Sequence, residues 1–307
     1  MREWPRVAVV GAGAVGGYFG GTMALAGAPV VMIGRKQFAD VVNQNGLLLD
    51  KGELEQRVNV KATTDMAALR DTELVLFCVK TVDNKSAATE MARFLAPEAT
   101  VVSLQNGVDN VEQIESNTHI RVVPAAVYVA VSVPEPGRVK HLARGDLIIG
   151  PKSDQTEKLA KIFNRAGVPC RITENIEGEL WIKLLCNCAL NAISALGHAR
   201  YGQLAESSTA RELMEAIVRE VLSVAQAADV VLPNINDTRS GMAAAIQIAT
   251  QMPGALSSTA QDLERGRATE IDSLNGYIVR RGAELGVNAP VNHALATLVK
   301  LAEKNLS

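Results

Sequence analysis

The stretch RVAVVGAGAVGGYFG, residues 6–20, decides the fold of this chain. It starts with a short apolar run that predicts a buried β-strand, and it continues through GAGAVG at 11–16 into a helical segment. A G-x-G-x-x-G pattern between a strand and a helix is typical of dinucleotide-binding domains. There Gly11 permits a tight turn, Gly13 lets the backbone approach a pyrophosphate, and Gly16 lets the helix pack closely on the strand. A glycine turn with a purely structural role is the alternative.

The helix after these glycines begins near residue 14. A helix N-terminus has unpaired backbone N–H groups and a partial positive charge, so it attracts phosphate. We therefore expect the backbone of Ala14 and Val15 to bind the cofactor together with the glycines.

The first half of the chain alternates between apolar strands and helices, which predicts a parallel sheet with right-handed crossovers. Residues 120–150 predict further strands, antiparallel and at one edge, before a helix at 153–166 and a strand at 168–173. The earlier elements are strands at 6–10, 29–33, 73–79 and 100–104 and helices near 14–27, 83–95 and 109–117.

After about residue 174 the strand signal disappears. We therefore predict an α/β fold in which a Rossmann-type parallel-sheet domain (1–174) binds the dinucleotide and an all-helical C-terminal domain (175–307) binds the substrate. The predicted helices of the second domain cover 175–199, 203–231, 236–250, 258–287 and 291–304.

Composition narrows the functional class. A formal net charge of −2 argues against nucleic acid as the main partner. Four cysteines without metal-ligand spacing indicate reduced thiols, so we expect a cytoplasmic protein without a bound metal. Lys183 interrupts the apolar run at 180–196, and we expect no membrane span. The N-terminus resembles a signal peptide, but a dinucleotide-binding strand and helix explain it better.

The end of the second predicted strand indicates which dinucleotide is bound. An enzyme specific for NAD usually has an acidic residue there, which binds the ribose 2′-hydroxyl. This chain has Arg35 and Lys36 instead, with no acid before Asp40. A guanidinium can bind a 2′-phosphate through two hydrogen bonds, so the sequence favours NADPH. Alternatively, Arg35 and Lys36 only begin a helix and are exposed to solvent there.

Two further polar residues directly follow apolar strands. Lys80 comes after LVLFCV, and Asn106 lies in the QNG that comes after TVVSL. The carboxyl ends of strands in an open α/β sheet line the ligand crevice, so we expect both residues to face the cofactor. The alternatives are an exposed loop lysine and a turn residue before Gly107.

A polar stripe interrupts the apolar helix WIKLLCNCALNAIS at 181–194. Lys183, Asn187 and Asn191 are spaced by four, and four residues turn an α-helix by about 400°, so the three share one face. An unpartnered buried amide costs on the order of 1–3 kcal/mol, so the stripe needs polar partners. It lines a ligand cleft or forms a polar seam between helices.

A second polar group lies near the C-terminus. Ser258 begins a predicted helix, and Glu270 precedes an apolar segment, where its carboxylate could face Lys183. Alternatively, Ser258 is only a helix cap and Glu270 is only a surface acid.

Taken together, these motifs resemble the ketopantoate reductase family over nearly the whole chain. Each motif alone is modestly specific, whereas all five in this order are strongly so. They are GAGAVG at 11–16, Lys80, QNG at 105–107, K-x3-N-x3-N at 183–191, and Ser258 twelve residues before Glu270.

The resemblance implies a role for each matched residue. Lys183 would be the general acid, and Arg35 and Lys80 would bind the adenosine phosphate of NADPH. The substrate-binding residues would be Asn106, Asn187, Asn191, Ser258 and Glu270. Ala192 and Thr259 stand where the family often has proline and methionine, and both differences could reshape the pocket.

The resemblance also implies a reaction, the reduction of the 2-oxo group of ketopantoate to give pantoate for pantothenate biosynthesis. An ammonium suits such chemistry, because negative charge grows on the carbonyl oxygen when hydride reaches the carbon. Reduction of another 2-oxo acid and a non-catalytic NADP(H)-binding sensor or assembly protein are the alternatives. We also expect a homodimer, because the helical half has apolar surface beyond the needs of one cleft.

Overall fold

The computed structural model describes residues 3–52 and 54–305. They divide into two compact units. The sheet unit contains the described residues up to Gln105 together with Asp109–Ile176. The helical unit contains Asn106–Val108 and the described residues from Glu177 onward. The short segment Asn106–Val108 thus groups with helices that come much later in the chain.

The described strands of the sheet unit form one mixed sheet in the order β4-β3-β9-β8-β7-β6-β1-β2-β5, with β10 also paired to β9. The six strands from β5 to β8 in this order are parallel, which confirms the predicted Rossmann-type sheet. The strands are β1 (Val7–Val10), β2 (Val30–Ile33), β3 (Leu47–Asp50), β4 (Glu55–Val58), β5 (Lys61–Thr63), β6 (Leu74–Phe77), β7 (Thr100–Ser103), β8 (Val122–Ser132), β9 (Arg138–Ile149) and β10 (Cys170–Ile172).

The predicted placement of the antiparallel pair at an edge of the sheet is wrong. β8 and β9 are antiparallel, but β3 pairs with the far side of β9 and β4 pairs with β3. β3, β4 and β5 were not predicted. β4 (EQRV) and β5 (KAT) contain no apolar run, and the apolar run of β3 (LLLD) has only three residues.

The strand β1 is fully buried inside the sheet. All four residues of β1 are at most 1% exposed, and β1 lies between β2 and β6 with Val7 opposite both Val30 and Leu74. Full burial of one valine side chain contributes about 1.5–3 kcal/mol. This packing holds the loop that follows β1 in place.

Helices surround the sheet and build the helical unit. The sheet unit contains α1 (Ala14–Leu25), α2 (Lys36–Asn45), α3 (Asn84–Ala92), α4 (Asn110–Thr118) and α5 (Asp154–Arg165). The later helices are α6 (Ile176–Leu196), α7 (Tyr201–Glu206), α8 (Ser208–Ala227), α9 (Thr238–Gln251), α10 (Ser258–Glu264), α11 (Asn275–Glu284) and α12 (Pro290–Lys304).

Two predicted helices are each split in the structure. The segment 203–231 divides where the Ser207 side chain caps α8 by accepting a hydrogen bond from the Ala210 N–H. The segment 258–287 divides after α10, where Gly266 adopts a positive φ of 60° and a 3₁₀ turn at Ile271–Ser273 follows. Glu270 therefore lies in a loop rather than in a helix.

The interruption of the apolar run by Lys183 does not by itself distinguish this segment from a membrane-spanning helix. Among the described residues, one helix, α6, is long and apolar enough by length and composition. However, 67% of its 18-residue apolar window is buried inside the protein. A core helix of a folded domain has the same character.

Candidate active site

The polar stripe of α6 lies on the most buried helix of the helical unit. Lys183 and Asn187 are half-buried, and Asn191 is only 2% exposed. Five apolar residues on other faces of this helix are at most 1% exposed and lie in the core: Leu184, Leu185, Cys186, Cys188 and Leu190. Lys183 and Asn191 are eight positions apart, which corresponds to a rise of about 12 Å along the helix.

Asn106 connects the first residue of the stripe to Glu270. The Lys183 Nζ donates a hydrogen bond of 2.8 Å to Asn106 Oδ1, and Asn106 Nδ2 donates one of 3.0 Å to Glu270 Oε2. An ammonium can only donate and a carboxylate can only accept, so these two neighbours determine how the amide is oriented. All three residues belong to the helical unit. The cluster therefore contains a proton donor and a carboxylate joined by one amide.

A second cluster forms around the last residue of the stripe. Asn191 Nδ2 donates to Ser258 Oγ across 3.5 Å, and the buried Tyr201 hydroxyl donates to Asn191 Oδ1 across 2.8 Å. Ser257 rather than Ser258 caps α10, because its Oγ accepts the hydrogen bond from the Ala260 N–H. Ser258 is exposed, so its hydroxyl is accessible to a ligand.

Asn187 lies between these two clusters. Within the described part of the chain, its side chain makes no hydrogen bond. It is half-buried and on the same face of α6 as its two neighbours in the stripe. An amide placed in this way has both its donor and its acceptor groups to offer to a ligand.

The glycine loop after β1 fits a dinucleotide. Gly11 has a φ of 94°, and a Cβ added there would lie 2.7 Å from the backbone of Cys78 and Val79. A Cβ on Gly16 would lie 2.3 Å from the Gly11 carbonyl oxygen. A Cβ on Gly13 would meet no protein atom within 4 Å. Packing thus explains two of the glycines, whereas the space beside Gly13 is open to a ligand.

The helix after this loop begins without a side-chain cap. Gly13 is the N-cap residue of α1, and no side chain bonds to the first turn. The backbone N–H groups of Ala14 and Val15 have no partner within the helix, as in the first turn of any α-helix. An anion at this position would receive hydrogen bonds and a favourable helix dipole.

The residues after β2 and β6 lie in short connecting segments. Arg35 is exposed and precedes α2, whereas Lys36 forms an ion pair of 2.7 Å with Asp40. Within the described ranges Arg35 makes no side-chain hydrogen bond or ion pair. Lys80 is half-buried and precedes a 3₁₀ turn at Thr81–Asp83.

A buried amide network at the ends of β6 and β7 was not predicted. Gln105 Nε2 donates to the Val79 carbonyl oxygen across 2.8 Å and also bonds to Asn84 Oδ1. Asn84 Nδ2 in turn donates to Asn110 Oδ1 across 2.8 Å. The network therefore ties the residue before Lys80 to the residue before Asn106. In the sequence, the network is indicated by Gln105, the residue directly before Asn106 in the QNG motif.

The cysteines do not suit nucleophilic catalysis. All four are free thiols, and burial raises the pKa of Cys170 to about 12. Burial also raises the pKa of Cys78 and Cys188 well above the usual thiol value. These groups stay protonated at neutral pH, and a thiol is a much weaker nucleophile than a thiolate.

Family models match both halves of the chain. The model described as "Ketopantoate reductase PanE/ApbA" matches residues 7–154, and its C-terminal counterpart matches residues 175–303. The chain belongs to the ketopantoate reductase family. The predicted family is thereby confirmed.

Relatives of the family match this chain over almost its full length. The 2-dehydropantoate 2-reductase of Pyrococcus horikoshii is 32% identical and covers 97% of both chains. The crystal structure of a PanE/ApbA family ketopantoate reductase from Ralstonia eutropha JMP134 is 44% identical, with a TM-score of 0.90 over 98% of this chain and 99% of that one. A D-mandelate dehydrogenase bound to NADH and anilino(oxo)acetate has a TM-score of 0.91 over 98% and 99% at 24% identity, which shows a shared fold.

Proposed function

We propose that this protein is an NADPH-dependent 2-dehydropantoate 2-reductase, which reduces the 2-oxo group of ketopantoate to the hydroxyl of pantoate in pantothenate biosynthesis. The observation that carries the proposal is the cluster of Lys183, Asn106 and Glu270 in a member of the ketopantoate reductase family. A small 2-oxo acid is the substrate class.

Lys183 is the general acid of the proposed reaction. NADPH, when bound, supplies the hydride for the carbonyl carbon. The Lys183 ammonium stabilises the negative charge that grows on the carbonyl oxygen, and it then donates a proton to that oxygen. The apolar residues on the other faces of α6 exclude water and strengthen this interaction.

Asn106 and Glu270 support Lys183 and bind substrate. By accepting one N–H of the ammonium, Asn106 restricts where the lysine head group can lie. The Glu270 carboxylate orients Asn106 through the other end of the amide and adds negative charge near the ammonium. The proposed cluster therefore positions the proton before the substrate arrives.

The remaining stripe residues bind the other oxygens of the substrate. Asn187 and Asn191 are one and two turns further along α6 than Lys183, and Ser258 lies beside Asn191. Amides and hydroxyls can hold carboxylate or hydroxyl oxygens without adding a charge that would compete with Lys183.

The dinucleotide binds on the proposed Rossmann-type domain, 1–174, and the substrate on the proposed helical domain, 175–307. Gly11, Gly13, Ala14, Val15 and Gly16 would hold the pyrophosphate, for which the open space beside Gly13 provides support. Cofactor contacts are also proposed for Lys80 and Asn106. The exposed Arg35 guanidinium and the absence of an acid between β2 and Asp40 favour a 2′-phosphate.

The proposed cellular setting follows from the same features. Reduced, buried thiols and a largely buried α6 support a cytoplasmic enzyme that acts without a membrane or nucleic acid partner. A homodimer is proposed as well, supported by exposed apolar residues such as Val231 and Leu301 on the helical unit. A monomeric mass in light scattering at micromolar concentration would contradict the homodimer.

The deciding experiment measures NADPH oxidation with a panel of 2-oxo acids. The panel contains ketopantoate, shorter branched 2-oxo acids and an aromatic 2-oxo acid, and we expect ketopantoate to have the highest kcat/KM. Higher kcat/KM with another acid would keep the reductase class but replace the substrate. No turnover with any acid, despite NADPH binding, would support a sensor or assembly protein instead.

A further inference from the structure

A buried hydrogen bond joins Tyr201 to the last residue of the polar stripe. The Tyr201 hydroxyl donates to Asn191 Oδ1 across 2.8 Å, and the two residues are 8% and 2% exposed. Tyr201 opens α7, and its backbone N–H bonds to the Ala255 carbonyl oxygen. The tyrosine is therefore held in place independently of Asn191.

This hydrogen bond has a defined direction. Within 3–52 and 54–305, the Tyr201 hydroxyl has Asn191 Oδ1 as its acceptor and makes no other hydrogen bond. Burial is the main reason that the pKa of Tyr201 is raised, and the nearby Cys186 raises it further. The hydroxyl therefore keeps its proton. A reversed amide would leave that proton buried without an acceptor, which is costly. Asn191 therefore turns its oxygen toward Tyr201 and its NH₂ group away from it.

The NH₂ group of Asn191 faces Ser258. Its distance of 3.5 Å to Ser258 Oγ is longer than an ordinary hydrogen bond, so its two N–H groups retain the capacity to donate to a ligand. Ser258 is exposed. A ligand beside this pair would thus meet hydrogen-bond donors from Asn191.

The backbone around Asn191 is already fixed by two buried serines. Ser257 Oγ donates to the Asn191 carbonyl oxygen across 3.0 Å, and the Ser257 N–H donates to Ser194 Oγ across 3.2 Å. These bonds connect α6 to the start of α10. Rotation of the Asn191 side chain is the freedom that remains, and the bond from Tyr201 restricts it.

We propose that Tyr201 is a positioning residue, which holds the Asn191 amide so that its N–H groups point at a hydrogen-bond acceptor of the substrate. For a 2-oxo acid this acceptor is a carboxylate, carbonyl or hydroxyl oxygen. The inference deepens the proposed reductase function and depends on it for the identity of the ligand. Without Tyr201 the amide can turn over and present its oxygen, which repels such an acceptor.

The kinetic test compares Tyr201→Phe with Tyr18→Phe. Both changes remove a buried phenol hydroxyl and keep the ring, but Tyr18 belongs to the sheet unit, whereas the stripe belongs to the helical unit. We expect Tyr201→Phe to raise KM for the 2-oxo acid roughly tenfold, the effect of about one hydrogen bond, with kcat changed by less than about twofold. Tyr18→Phe should leave both constants unchanged. Wild-type KM in Tyr201→Phe would overturn the proposal while leaving the reductase function intact.

A double-mutant cycle tests whether Tyr201 acts through Asn191. In an Asn191→Ala background, Tyr201→Phe should change KM by less than about twofold, because the amide that it positions is gone. An undiminished tenfold effect in that background would show that Tyr201 acts in another way and would overturn the proposal.

A third readout does not need turnover. In NMR spectra, the side-chain NH₂ protons of Asn191, assigned by their loss in Asn191→Ala, should show cross-relaxation to the Ser258 β-protons. In Tyr201→Phe this contact should weaken. Cross-relaxation from the NH₂ protons mainly to the Tyr201 ring in the wild type would mean the opposite amide orientation and would overturn the proposal, whether or not the protein is a reductase.

Discussion

Lys183 Nζ lies 2.8 Å from Asn106 Oδ1, although 77 positions separate the two residues in the chain. Asn106 follows the strand β7, yet it groups with the helical unit. A loop residue from one half of the chain thus orients the proposed proton donor of the other half.

Lys183→Ala should lower kcat by roughly 10²–10⁴-fold, the usual contribution of a positioned proton donor. NADPH affinity should barely change, because the lysine contacts residues of the helical unit. Steady-state kinetics, NADPH titration and Tm should be measured on the same preparation. If the stripe is only a polar seam, the variant will have a lower Tm and nearly full kcat per folded molecule.

Asn187→Ala is a matched comparison on the same helix face. It removes a stripe side chain that makes no hydrogen bond within the described chain. It should raise KM more than it lowers kcat, if its contact with the substrate is equally strong in the ground and transition states. A loss of kcat as large as that of Lys183→Ala would assign the two residues to the same step.

Arg35→Asp should weaken NADPH binding far more than NADH binding. The wild type should prefer NADPH by at least about tenfold in kcat/KM, equivalent to about 1.4 kcal/mol. An aspartate there would repel the 2′-phosphate and could bind a ribose hydroxyl. Lys36→Asp is the control, because Lys36 already pairs with Asp40. Equal use of NADPH and NADH by the wild type would remove the proposed role of Arg35.

Gly13→Ala and Gly16→Ala should separate ligand binding from folding. The new Cβ at position 13 meets no protein atom, whereas the one at position 16 lies 2.3 Å from a backbone oxygen. We expect Gly13→Ala to keep a near-wild-type Tm but to bind NADPH at least about tenfold more weakly, since it obstructs the approach of the pyrophosphate. Gly16→Ala should lower Tm by several degrees. Unchanged NADPH affinity in Gly13→Ala would mean that the pyrophosphate lies elsewhere.

Glu303 should make stability depend on pH. Its carboxylate accepts hydrogen bonds of 2.7 and 2.6 Å from the Thr269 N–H and hydroxyl, and it forms an ion pair of 3.0 Å with Lys300. Burial alone would raise the pKa of Glu303, but these bonds outweigh burial and lower it. A lowered pKa contributes stability above the ordinary glutamate value, and that stability is lost as the pH falls through the lowered pKa.

Glu303→Gln should therefore be less stable than the wild type at pH 7, by about 1–3 kcal/mol. The difference should shrink as the pH falls below about 4. Urea unfolding at several pH values measures it, with Glu284→Gln as an exposed control, because Glu284 pairs with Arg281 at the surface. A difference independent of pH would mean that packing, not the carboxylate charge, is responsible. Because Thr269 precedes Glu270, the same variant should also loosen the proposed site.

Local patterns were sufficient for much of the fold. The apolar strands around β1, the glycine loop and the change to helices after about residue 174 are readable from spacing alone, since buried parallel strands and amphipathic helices have different periods. The short strands β3–β5 were missed. β4 (EQRV) and β5 (KAT) have little apolar character, and β3 and β5 pair with β9 and β2, which are distant in the chain.

The site shows the same division. By itself the sequence determined the stripe on α6, because helical periodicity places residues four apart on one face. It also determined the glycine loop and its cofactor class. Tertiary structure alone decided that Asn106 joins Lys183 to Glu270, that Ser257 and not Ser258 caps α10, and that Tyr201 orients Asn191. Spacing carries no information about these pairs, because each depends on how separate helices and loops pack to satisfy their buried polar atoms.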